Sequence, residues 1–100
     1  MRITVIEVPA KKRHWVITLE GRLDSSQTQQ FTVELFQLVA AKKLRITINM
    51  RKLEFIGSNG LWALSQAVKK NASITLLGAR PSVRERIDLA GLKSLFTFED

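Results

Sequence analysis

Ser58 is the residue whose type and place could do chemistry. It stands within Gly57-Ser58-Asn59-Gly60, between the apolar stretch Phe55-Ile56 and a run in which Leu61, Leu64 and Val68 recur at helical spacing. A serine at such a junction caps a helix, its hydroxyl accepting from an orphan amide, a contact worth about 0.5–2 kcal/mol. The same hydroxyl is a candidate for modification or docking. A phosphate there would meet free backbone amides and a favourable helix dipole, so it would repel or reshape a contact without unfolding the helix. Trp62 lies about 100° round the helix from the Leu61 stripe. It falls on the side expected to carry Ser65, Gln66 and Lys69, and a partly exposed indole near a helix start suits a protein interface.

Other chemistries lack their parts. A serine nucleophile needs a base within reach and a group to orient that base, and the single histidine, His14, is far from Ser58 in the chain. Gly57-Ser58-Asn59-Gly60 is not a nucleophile elbow, whose serine lies between glycines two residues away on either side. With no cysteine, one histidine and no close carboxylate cluster, no metal site is expected. No Lys-Ser/Thr pair follows the glycines, so they form no phosphate loop. No catalytic residue and no cofactor are expected.

The elements that must position Ser58 can be read from periodicity. Arg2 to Val8 reads as a strand ended by Pro9 and the charged turn Lys11-Lys12-Arg13, and a hairpin then leads into a second strand, His14 to Glu20. There Trp15, Ile17 and Leu19 share one face and His14, Thr18 and Glu20 the other. Asp24 or Ser25 can cap a long helix from Ser26 to about Ala41, with Phe31, Leu35, Leu38 and Val39 at helical spacing. Leu44, Ile46, Ile48 and Met50 alternate strictly with Arg45, Thr47 and Asn49, the pattern of a strand with one wet face. A strand covered by helices on both faces would read as a continuous apolar run. The sheet therefore carries its helices on one face only.

After the Ser58 helix, Ser73 to Leu77 gives a short strand. Pro81 opens a third helix with Val83, Ile87 and Ala90 at helical spacing, Gly91 stops it, and Leu92 to Phe98 is an apolar tail that closes one end of the core. The expectation is one two-layer α/β domain over residues 1–100, of order ββαβαβα, with a mixed sheet of about four strands. Strands two to four, joined through helices, are parallel. Sites in such crossover units gather where strand C-terminal ends lead into helices, which brings Asp24-Ser25 beside Ser58.

Composition bounds the partners. At 100 residues and 45% hydrophobic content the chain fits one core. The absence of cysteine suits a reducing compartment, and no apolar run approaches the roughly 20 residues of a membrane span, so a soluble cytoplasmic protein is expected. The formal charge of +7 favours acidic partners without naming one. Its cations lie at the expected ends of elements, not along one helix face, so no specific nucleic-acid groove and no membrane insertion are expected. An anion-binding module for lipid or nucleic acid ranks behind protein binding and would show a steep salt dependence.

Four stretches in order resemble the STAS domain family, of the anti-sigma factor antagonist type. They are Gly21-Arg22-Leu23-Asp24, Phe55-Ile56-Gly57-Ser58-Asn59-Gly60-Leu61, Arg80-Pro81-Ser82-Val83-Arg84, and Ala90-Gly91-Leu92 with Leu95-Phe96. The resemblance spans nearly the whole chain and implies a small sheet with helices on one side. It also implies a bacterial, non-enzymatic switch: the domain binds an anti-sigma factor and frees a sigma factor, the partner's serine-kinase activity phosphorylates the serine matching Ser58, and a phosphatase resets it. The docking surface implied comprises Asp24, Ser25, Gly57, Ser58, Asn59, Gly60 and Trp62. The family commonly has Asp where this chain has Gly57, and Ser or Thr where it has Asn59. The alternative is a docking or scaffold subunit of a signalling or transporter complex in which Ser58 is not phosphorylated.

Overall fold

The computed structural model describes residues 2–8, 14–41, 45–70 and 72–100. The elements run β1 (Arg2–Glu7), β2 (His14–Leu23), α1 (Ser25–Ala40), β3 (Arg45–Ile56), α2 (Ser58–Lys69), β4 (Ser73–Leu77), α3 (Pro81–Leu89), a 3₁₀ turn (Lys93–Leu95) and β5 (Thr97–Glu99). The five strands lie in the order β1-β2-β3-β4-β5. β1 and β2 are antiparallel, whereas β2, β3, β4 and β5 are mutually parallel neighbours. The charged turn expected at Lys11-Lys12-Arg13, the Lys42-Lys43 pair, Leu44 and the side chain of Ser25 lie outside the described residues.

The two-layer expectation holds. Ile46, Ile48 and Met50 are buried while Arg45 is exposed and Thr47 and Asn49 are half-buried. Ile17 and Leu19 of β2 and Ile74 and Leu76 of β4 continue the same buried face. They join Phe31, Leu35 and Leu38 of α1, Leu61 and Leu64 of α2, and Val83 and Ile87 of α3 in one apolar cluster. The other face is mostly polar, with Ile6, Val16 and Leu77 as its apolar exceptions, and on it the His14 ring nitrogen Nε2 lies 2.8 Å from Thr47 Oγ1.

Several expectations need correction, the end of β2 among them, which is Leu23 and not Glu20. β3 does not end near Met50 but runs on to Ile56, because Leu53 and Ile56 are buried too and carry the strand to the turn. The tail from Leu92 is more than a plug: its last residues form β5, a short parallel edge strand beside β4, so the sheet has five strands. A run of only three residues is too short to show a strand period, and pairing with β4 recruits it. Ser65, placed by the helical wheel on the polar side, is only 8% exposed, and its hydroxyl is satisfied locally by donating to the Trp62 carbonyl at 2.8 Å.

Candidate functional site

The end of β2 and the end of β3 converge at one pole of the sheet. Leu23 pairs with Ile56, and the Gly57 amide donates to the Leu23 carbonyl at 2.8 Å, which closes the ladder just before both chains turn into helices. Asp24 is the residue that precedes α1, and Gly57 the one that precedes α2. Ser58 is therefore not the cap of α2 but its first helical residue. The Gly57 carbonyl accepts the Leu61 amide at 3.1 Å, and no side chain caps either helix. The hydroxyl of Ser58 has no hydrogen-bond partner among the described residues and is exposed, as is Asn59.

The two glycines flanking Ser58 and Asn59 have different reasons. Gly57 has φ −89° and ψ 177°, an extended backbone that any residue adopts, and a Cβ there would have as its nearest neighbours the Leu23 carbonyl oxygen at 3.5 Å, a Phe55 ring carbon at 3.6 Å and Asp24 Cα at 3.9 Å, all ordinary contacts. Backbone freedom is thus not what the turn asks of it. Gly60 is needed for space: a Cβ would lie 2.9 Å from Leu23 Cδ2 and 3.0 Å from Ile56 Cγ1, so its bareness lets the first turn of α2 press against the strand ends. Ala63 and Ala67 extend this close approach along α2. The outcome is an exposed hydroxyl on a helix start whose underside is locked to the sheet.

Trp62 is 54% exposed, as expected from the wheel. One side of its ring meets Phe36 of α1, with centroids 6.1 Å apart, while the rest faces a groove of about 290 Å³ lined by Thr28, Gln29, Thr32, Val33 and Asn59. Val33, 48% exposed, makes the opposite apolar wall. Asp24, Gly57, Ser58, Asn59, Gly60 and Trp62 are thus brought to one pole and the adjoining α1/α2 edge, with Gly60 beneath the surface. The backbone of Ser25 opens α1 beside them.

Sequence reasoning missed what stands on the back of the turn. The guanidinium carbons of Arg22 and Arg86 each lie 4.6 Å from the centre of the Phe55 ring. Arg86 Nε donates to the Ile56 carbonyl at 2.7 Å, and Arg22 Nε donates to Asp24 Oδ2 at 3.3 Å. No local signal could have joined these residues, since Arg86 comes from α3, thirty positions after Ile56. Gly21, with φ 104°, marks a bulge in β2 that lets Arg22 turn outward while Leu23 stays buried.

His14 sits at the opposite pole, in register with Arg45 at the start of β3, so it cannot serve Ser58 as a base. Among the described residues no group of three or more His, Cys, Asp or Glu could hold a metal. No described helix is long and apolar enough to cross a membrane. The groups this pole presents are a hydroxyl, an indole, an amide and a carboxylate, with no acid–base pair among them.

The family model for the STAS domain matches residues 5–100. The chain belongs to the STAS domain family. BtrV of Bordetella bronchiseptica, whose name proposes an anti-sigma factor antagonist, is 26% identical over 85 residues, covering 81% of this chain and 73% of BtrV. Among solved structures, an anti-sigma factor antagonist from Mycobacterium paratuberculosis superposes with a TM-score of 0.83 at 22% identity, covering 98% of this chain and 84% of that one. The Bacillus cell fate determinant SpoIIAA in its phosphorylated form superposes at 0.77 with 20% identity, covering 97% and 90%. The anti-sigma factor antagonist SpoIIAA in its unphosphorylated form superposes at 0.75 with 16% identity, covering 99% and 87%. These likenesses bear on the fold: a STAS-type sheet with its helices on one face.

Proposed function

We propose that this STAS domain is an anti-sigma factor antagonist, a bacterial, cytoplasmic protein-binding switch that docks a serine-kinase anti-sigma factor and is controlled at Ser58. The observation that carries the reading is the exposed, unpaired Ser58 hydroxyl on the first residue of a helix whose underside is locked to the strand ends. A partner can approach it without the domain moving. Trp62 and Val33 supply apolar contact area beside it, and Asp24 offers a carboxylate at the neighbouring helix start.

In the proposed cycle the docked kinase transfers the γ-phosphoryl group of ATP to the Ser58 oxygen. The hydroxyl proton passes to a base of the kinase and ADP leaves. The added charge of about −1.5 to −2 at the centre of the contact then ejects the partner, and a phosphatase restores the hydroxyl. The domain itself performs no catalysis in this cycle. The names of BtrV and of the two SpoIIAA structures support the reading.

A docking-only relative, a scaffold in which Ser58 is never modified, is favoured by one feature. Gly57 stands where the family commonly has Asp, and its backbone and surroundings would admit a side chain, so the fold does not force the acid's loss. Incubating the protein with ATP and the anti-sigma factor kinase of its own organism, followed by peptide mass spectrometry, separates the two. Phosphate on Ser58 is the expected outcome; a partner that binds tightly and leaves Ser58 bare selects the scaffold.

A further inference from the structure

The geometry points to Arg22 and Arg86, both mounted on the ring of Phe55, as the binding site for a phosphomonoester on Ser58, with Arg22 reaching it by leaving Asp24. The inference rests on the reading that Ser58 carries phosphate. It names the residues that receive the group.

Both guanidinium groups are held at one end and open at the other. Arg86 is anchored through Nε to the carbonyl of Ile56, two residues before Ser58, and Arg22 through Nε to Asp24. The carbon of each guanidinium is 4.6 Å from the centre of the Phe55 ring, so both are held against that ring. Among the described residues the terminal Nη groups of both have no hydrogen-bond partner. That leaves two guanidinium forks of the kind that bind phosphate oxygens bidentately.

The site is within reach of the modified residue. The edge of the Phe55 ring comes within 3.6 Å of where a Cβ on Gly57 would stand, and Asp24 Cα within 3.9 Å of the same point. Bond geometry then keeps the Ser58 Cα within about 9 Å of the Asp24 Cα. Arg22 already sits at that carboxylate, so a modest rotation of a 58% exposed side chain brings it to a phosphate on Ser58.

The exchange runs toward the phosphate. The Arg22–Asp24 pair uses a single nitrogen, is 3.3 Å long, and is open to solvent on both sides, with side-chain exposures of 58% and 36%. A phosphate offers more charge than one carboxylate and three acceptor oxygens. When Arg22 moves, Asp24 loses its cation. Modification then changes the charge at both helix starts of the docking pole, at Asp24 as well as at Ser58, and so reaches further across the contact than the phosphate alone.

The test needs no kinase. Phosphoserine is installed at position 58 by semisynthesis or by an expanded genetic code, and its second pKa, about 6 in a free phosphoserine, is followed by phosphorus NMR. Nearby cations favour the dianion and lower that value. The wild-type protein is expected to titrate roughly half a unit to one unit below about 6. Arg22→Gln and Arg86→Gln should each return part of the shift, Arg22→Lys should keep some of it, and Arg45→Gln, at the opposite pole, should change nothing. Equal values for wild type and Arg22→Gln, or shifts no larger than that of Arg45→Gln, overturn the proposal. Should Arg86→Gln unfold the domain, Arg22→Gln decides alone, because Arg22 is exposed and its side-chain partners are the half-exposed Asp24 and the ring of Phe55. Finding Ser58 unmodified in cells would defeat the proposed cycle yet leave the titration unaffected, so the two failures are distinct.

Discussion

Helices α2 and α3 each follow a parallel strand and pack on the same face of the same sheet, but they meet it differently. α2 buries Gly60, Leu61, Ala63, Leu64, Ser65 and Ala67, a set rich in small residues that let the helix lie close to the strands. α3 buries only Val83 and Ile87, and its remaining surface is exposed and mostly charged. The difference separates a platform from an attachment. The Ser58 hydroxyl is carried by the more deeply seated of the two helices. The loosely seated helix contributes a long cation, Arg86, that reaches the turn from the side.

Truncating the two helices at equally buried positions tests that contrast. Leu64 and Ile87 are both fully buried. Leu64→Ala should cost about 4 kcal/mol, toward the upper end for such changes, because the dense packing around α2 cannot collapse into the space. Ile87→Ala should cost about 2 kcal/mol, since α3 is free to settle. Chemical denaturation reads both, and equal losses would break the distinction. Gly60→Ala sharpens it. Alanine is the better helix former by about 1 kcal/mol, yet the new methyl crowds Leu23 and Ile56, and a net loss of about 1 kcal/mol is expected. A stabilised Gly60→Ala would mean that α2 can lift from the sheet.

Trp62→Ala should change stability least of these truncations and act on binding instead. With 54% of the residue exposed, the expected loss is under about 0.5 kcal/mol, or a few degrees in Tm, apart from the tilted ring contact with Phe36. Binding to the partner should fall at least about tenfold if the indole is an interface anchor. A large fall in Tm would return Trp62 to the core.

Much of this arrangement was legible from residue types and periods. The strict alternation from Leu44 to Met50 pointed to the wet sheet face and with it the two layers, because a strand has only two sides and burial on one leaves a mark at every second residue. The exposure of Trp62 followed from its angle to Leu61. Ser65 failed on the same wheel because a serine can satisfy its hydroxyl on its own helix and then be buried. β5 failed because a three-residue strand is made by its neighbour and not by its own pattern. At the site, sequence placed Ser58 at the helix start and Asp24 nearby. It could not place Arg86 beside Ile56, since a contact thirty positions apart has no local period to betray it.

The pole around Ser58 is proposed as a surface that a partner grips and a charge can release. A binding titration of the partner recovered from the native organism, against wild type, Ser58→Ala and Ser58→Asp, tests this most directly. Wild type and Ser58→Ala should bind alike. Ser58→Asp should bind at least about tenfold more weakly with an unchanged Tm, because a helix start accommodates an added carboxylate while the contact does not. If Ser58→Asp binds as wild type does, the grip lies elsewhere and the central claim is wrong.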